Sequence, residues 1–216
     1  MTRPRASQHL GAPPSPDQLR GRFPGIAVRA GTALYRTHSA KLDPWWFGSS
    51  LDNRFDLSGP AGTCYTAESE IVGLLEAWAG IRFIARADVA ARAISTLTVD
   101  RDLLIADLTS NAGIRFGLTA EISTTIDYPL SQQWAANLRA AGFDGLRYWA
   151  RHELSHTHTC VALFDAAGDQ TDSVLRPSVY RVARTESLIE RGDLLDELNR
   201  HAGITIMAPP PSLDPS

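Results

Sequence analysis

The residues best suited to chemistry lie between positions 35 and 76. Arg36 sits in the apolar run AGTALYRTH and Arg54 in the long loop that follows. Tyr65 sits in the short run TCYTA, and Glu76 in ESEIVGLLEAW. Glu76 follows Leu74 and Leu75 and precedes Trp78 by two positions, so it falls where the apolar residues of its helix concentrate. A carboxylate near a buried face needs a partner, and Arg36 and Arg54 are both candidates. Each residue has an ordinary alternative: a solvated arginine, a half-buried tyrosine, a surface glutamate. The interest lies in the four together.

A second set, His152, Glu153 and His156, reads His-Glu-Leu-Ser-His. On a helix, histidines at i and i+4 share a face and grip zinc, while the glutamate activates the bound water. The context opposes that use. The motif lies between GLRYW and HTCVALF, both strand-like, with no apolar helical stripe around it and no later helix to supply a further ligand. A polar connection between two strands is the expectation, with no metal in the site.

These residues need elements to position them. AGTALYRTH, TCYTA, STLTVD, LLIADL, GLRYW and HTCVALF read as strands. ESEIVGLLEAW reads as a helix with Ser69 as N-cap, and a short helix is expected over DVAARAI. SQQWAANLRAAG is a helix with Ser131 at the N-cap and Gly142 at the stop, and TESLIERGDLLDELNRHAG a last helix with Thr185 as N-cap. DPWWFGSSLDNRFDLSGPAG is a long loop, of the kind that often carries function. The order is not a regular alternation of strand and helix. It predicts an α+β fold with mostly antiparallel sheets and flanking helices in a single domain.

Composition sets the limits. The 216 residues are 44% hydrophobic and 21% charged, with a net charge of -3, which suits one globular domain and argues against a broad nucleic-acid-binding surface. No apolar run is long enough for a membrane span. No glycine-rich phosphate loop of the usual spacing occurs. The two cysteines, Cys64 and Cys160, build no disulfide framework, so a reducing cytoplasm is the expected location. Residues 1–25, rich in Pro, Gly, Ser and Arg, read as a flexible arm; 26–205 as the packed domain; 206–216 as a flexible tail.

The blocks LYR, RFD, GTCYTAESEIVGLLEAW, SQQWAANLRAAGFDGLRYWARH and CVALFD, taken in order, resemble the RES domain, the toxin of RES–Xre toxin–antitoxin pairs. The resemblance covers about residues 30–180. It implies an ADP-ribosyltransferase-like fold and a toxin that degrades NAD, as substrate rather than cofactor, and arrests bacterial growth until an Xre-family antitoxin neutralises it. It assigns catalysis to Glu76, to Arg36 or Arg54, and to Ser131, with Arg54 and Tyr65 on the substrate. The sequence departs from the family in having Thr37 where a tyrosine is common and Ala150 where many members have serine. Cleavage of the nicotinamide–ribose bond leaves an oxocarbenium-like centre that Glu76 would stabilise, while an arginine takes the pyrophosphate. The acceptor is left open between water, phosphate and a protein group. Two alternatives stand beside this reading: a zinc hydrolase built on His152, Glu153 and His156, and a RES-like domain that binds a nucleotide without turning it over. The WWFG loop is a further candidate, as an antitoxin contact.

Overall fold

The structure, a computed structural model, describes residues 9–78 and 80–207. Twelve strands run in chain order: β1 Gly25–Val28, β2 Leu34–Ser39, β3 Trp46–Phe47, β4 Ala61–Ala67, β5 Phe83–Ala85, β6 Arg92–Val99, β7 Leu103–Asp107, β8 Gly145–Trp149, β9 Thr159–Ala166, β10 Gly168–Asp169, β11 Tyr180–Ser187 and β12 Thr205–Met207. The α-helices are α1 Pro16–Leu19, α2 Glu70–Trp78, α3 Arg86–Ala90, α4 Tyr128–Ala140 and α5 Gly192–Ala202. Eight strands form one sheet in the order β1-β7-β8-β9-β4-β2-β6-β11. Every neighbouring pair is antiparallel except β7 and β8, whose parallel pairing requires the long crossover that α4 supplies. This is the α+β, mostly antiparallel single domain expected. Among the described residues no helix is long and apolar enough to cross a membrane.

Alternation along the strands divides the interior. Cys160, Ala162 and Phe164 of β9 join Trp134 and Leu138 of α4 on one face of the sheet, while Val161 and Leu163 join Trp45, Phe47 and Leu97 on the other. A third cluster packs Leu74, Leu75 and Trp78 of α2 against Leu194 and Leu198 of α5. One seam in the sheet is thin. β2 and β4 are in register only at Tyr35 and Ala67, whereas β2 pairs with β6 from Leu34–Leu97 through Ser39–Arg92. The strands part there, and the parting opens a cleft beneath α2.

Several expectations need correction. Residues 9–25 are not a loose arm. Leu10, Leu19 and Phe23 are buried in the first core, and α4 holds the segment through Trp134 Nε1 to the Gly11 carbonyl (3.0 Å) and Asn137 Nδ2 to the Pro14 carbonyl (2.9 Å). Residues 1–8 and 208–216 lie outside the described residues, while Ile206 and Met207 of the expected tail pair with β5. Ser131 is not an N-cap: α4 begins one turn earlier, at Tyr128 and Pro129, where Asp127 accepts the Leu130 amide. The helix does stop as expected, with Gly142 at φ 101° just beyond it. Thr185 is not an N-cap either. It lies in β11, opposite Ser95, and its hydroxyl meets Ser95 Oγ at 2.8 Å, so the last helix starts only at Gly192. The expected DVAARAI helix ends at Ala90, because Arg92 onward pairs with β2. Ser69 is the N-cap foreseen, accepting the Val72 amide.

Candidate functional site

The cleft below α2 holds a cavity of about 400 Å³, within the ~300–1,000 Å³ usual for small-molecule sites. Glu76 reaches it from α2, Tyr35 from β2, Tyr65 from β4 and Tyr148 from β8. Arg54, Tyr128 and Arg151 close it from three loops and helix starts. Glu76 has left water for this setting. Burial pushes its carboxyl above the usual carboxylate range, against the pull of the His152 and Arg151 backbone amides and of Arg54 and Arg151. The His152 amide donates to Oε1 at 3.3 Å. Arg54, Arg92 and Arg151 also line the cavity, so a chain of net negative charge has a cationic pocket.

Arg54 is 9% exposed and held rigidly. Its Nη1 donates to the Thr125 carbonyl, and the guanidinium lies 5.5 Å from the Tyr128 ring centroid. Its loop is tied by Asp56, a buried carboxylate that accepts the Asn53 amide (3.1 Å), Asn53 Nδ2 (3.2 Å) and the Tyr65 hydroxyl (2.9 Å). The Tyr65 oxygen in turn accepts the Phe55 amide at 2.9 Å. Tyr65 thus does two things: its ring lines the cavity, and its hydroxyl fixes the loop that carries Arg54.

Two expected site residues sit elsewhere. Ser131 is fully buried and does not line the cavity; its Oγ donates to the Arg54 carbonyl at 2.6 Å and to the Tyr128 carbonyl at 3.1 Å. It is a positioning residue for Arg54. Arg36 borders the cavity, but alternation puts its side chain on the face opposite Tyr35. There its Nη1 donates to the carbonyls of Pro44 (2.7 Å) and Trp46 (2.9 Å) and meets Cys64 Sγ at 2.9 Å. It fastens the loop before β3, which crosses so tightly that a Cβ on Gly62 would stand 2.7 Å from the Phe47 carbonyl oxygen. Of the two arginines, Arg54 is the one whose guanidinium belongs to the site. The WWFG segment is divided: Trp45 is fully buried, stacked on Phe47 and tilted against Tyr180, while Trp46 is exposed.

The His-Glu-Leu-Ser-His segment is a turn between β8 and β9, so its histidines do not share a helix face. Glu153 spends its oxygens on the Ser155 amide (3.1 Å), the Ser155 hydroxyl and the Thr157 amide (2.9 Å), and His156 stacks on Trp149. Among the described residues no group of three or more His, Cys, Asp or Glu is arranged to hold a metal ion. What the turn does supply is backbone: it brings the Arg151 and His152 amides to Glu76.

The RES domain family model matches residues 33–188, which contain every cavity residue named above. The chain belongs to the RES domain family. A solved structure with the same fold is a chain of the M. tuberculosis MbcT–MbcA toxin–antitoxin complex, at 17% identity and a TM-score of 0.56, the match covering 74% of this chain and 85% of that one. No curated protein matches the chain. Of the residues that line this cavity or tie its loop, sequence reasoning named Glu76, Arg54 and Tyr65 and did not name Asp56, Tyr128 and Arg151. Asp56 stood in the quoted block RFD, three positions after Asn53, a spacing that lets an Asp side chain organise its own loop. Ala150 is buried, at 1% exposed.

Proposed function

We propose that this RES domain is an NAD-degrading toxin that acts in the bacterial cytoplasm and is restrained by a cognate antitoxin of the Xre family. The observation that carries the reading is a single carboxylate, Glu76, buried in a pocket whose lining also includes Arg54, Arg92 and Arg151. Such a site suits a substrate that is anionic at one part and becomes cationic at another during reaction. NAD has both properties. Its pyrophosphate is negative, and scission of the nicotinamide–ribose bond sends the bonding pair out with neutral nicotinamide and leaves positive charge on the ribosyl carbon. Ionised Glu76 stabilises that charge as it develops. Arg54 and Arg151 take the phosphate oxygens, and Tyr65 packs against the nicotinamide or ribose. The ribosyl centre is then captured by water, as a glycohydrolase, or by phosphate, as a phosphorylase. The antitoxin rests on family membership and on the toxin–antitoxin complex among the structures of like fold. The fold it implies is that of the ADP-ribosyltransferases.

The test is incubation of purified protein with NAD in the presence of a chelator, following nicotinamide release. Glu76→Gln, nearly isosteric, abolishes release by at least ~10³-fold while the protein stays folded. Full turnover by that variant would remove Glu76 from the chemistry, and binding of NAD by the wild type without turnover would leave a nucleotide-binding domain instead.

A further inference from the structure

Resting on that reading, we propose that a second cavity beside the first holds the adenosine half of the dinucleotide, with Trp149 and His156 as the residues that select it. This cavity, about 500 Å³, lies between the segment after β7 and the turn after β8. Arg151 lines both cavities. The other partition is the short stretch leading into α4: Thr124 faces the second cavity, Tyr128 the first, and the Thr125 carbonyl between them receives Arg54. Two guanidinium-bearing residues therefore stand at the divide. Arg151 is exposed and makes no ion pair among the described residues, which leaves it available to an anion.

The two cavities differ in chemistry. The first offers a buried carboxylate, phenols and arginines. The second has mainly apolar surface from residues such as Ile114 and Leu118, with hydroxyls among them and no carboxylate. Its wall carries an aromatic pair: the Trp149 indole and His156 imidazole are stacked with centroids 5.2 Å apart and planes at 16°. Ile114, 59% exposed, stands at its edge without a packing partner that would hide it. A flat, weakly polar base with an attached ribose fits this surface, with Arg151 at its edge for the phosphate. A diphosphate over the divide, with its nicotinamide riboside toward Glu76 and its purine against Trp149, uses both cavities and both arginines.

Truncation of the substrate tests this. Nicotinamide mononucleotide carries the scissile bond and one phosphate but no adenosine. Trp149→Ala raises KM for NAD about tenfold, the cost of a lost base stack, and leaves kcat for NAD and kcat/KM for the mononucleotide within about twofold of the wild type. His156→Asn removes the stacked ring at a position of φ 52°, which Asn tolerates, and shows a smaller change of the same kind; it serves if Trp149→Ala does not fold. Equal losses on both substrates, or no loss on either, overturn the adenosine subsite while leaving the NAD reading intact. If the wild type cleaves neither substrate, the functional reading falls, and calorimetric titration with AMP decides the cavity: binding weakened in Trp149→Ala supports the subsite, and no binding overturns it.

Discussion

Ser131→Ala separates chemistry from positioning. Ser131 is fully buried, and its hydroxyl is the donor to the Arg54 carbonyl at 2.6 Å. Among the described residues that carbonyl receives no other hydrogen bond. Alanine removes the donor and leaves the acceptor buried, a loss of about 1–3 kcal/mol. For a chain of this size, ~2 kcal/mol corresponds to a fall in Tm of about 4–8 °C. The kinetic effect follows from geometry: Arg54 loses one of the ties that fix its backbone, while Asp56 and the Thr125 carbonyl still hold its neighbour and its guanidinium. Misplacement on that scale lowers kcat/KM for NAD about ten- to hundredfold, chiefly through KM, because on the proposed function Arg54 grips the substrate's charge in the ground state as well as in the transition state. Thermal denaturation with steady-state nicotinamide release reads both quantities. A variant with unchanged Tm and turnover lost by more than ~10³-fold would refute the reasoning and put the hydroxyl in direct contact with the reacting atoms. Wild-type values of both would show that the contact fixes nothing.

The remaining predictions follow from the same network. Tyr65→Phe keeps the ring in the cavity but deletes the hydroxyl shared by Asp56 and the Phe55 amide; KM for NAD rises and stability falls by about 1–3 kcal/mol, whereas a role confined to ring stacking would leave both unchanged. Glu153→Ala frees the turn after β8, lowers Tm by about 2–6 °C and speeds amide exchange at Thr157, with no change in metal content; one zinc per chain lost in this variant or in His152→Ala would restore the metal reading. Glu76→Gln makes the protein more stable than the wild type at neutral pH. The folded carboxyl titrates above its unfolded value because it is buried, so ionised Glu76 burdens the native state above that pH, and the difference between the two proteins closes as pH falls through the ordinary carboxylate range. On the proposed function, NAD turnover by the wild type declines on the acid side at a pH above that of a free carboxylate, as Glu76 is protonated.

The parts of this molecule that were legible in the sequence are those in which a short stretch decides its own structure. α2 was readable because Ile71, Leu74, Leu75 and Trp78 fall at helical spacing behind a Ser69 cap, and that periodicity placed Glu76 near the buried side. The strands β4, β8 and β9 were readable as short apolar runs between turns. The errors arise where a distant partner decides. Thr185 has helix-capping chemistry, yet pairing with β6 outweighs it. Residues 9–25 have no periodicity, but three anchors, Leu10, Leu19 and Phe23, suffice to seat them once α4 offers a surface.

Arg36 and Arg54 show the same limit within the site. Both are arginines near a cavity, and composition cannot rank them. Strand alternation alone sends Arg36 to the opposite face from Tyr35, since neighbours on a strand point to opposite sides, and the carbonyls of Pro44 and Trp46 then hold it there. Arg54 has no regular element to orient it. Its direction comes from four contacts distributed over the chain: Asp56 within its loop, Tyr65 from β4, Ser131 from α4 and the carbonyl of Thr125. Tyr65 and Ser131 were noticed in the sequence, but separately and with roles of their own, and Asp56 stood only within the block RFD. Ser131 and Tyr65 look like reagents when read singly. Read through their hydrogen bonds, they are the supports of one guanidinium, and the function proposed above then rests on Glu76 and Arg54 in a cleft that exists because β2 and β4 meet at a single pair of residues.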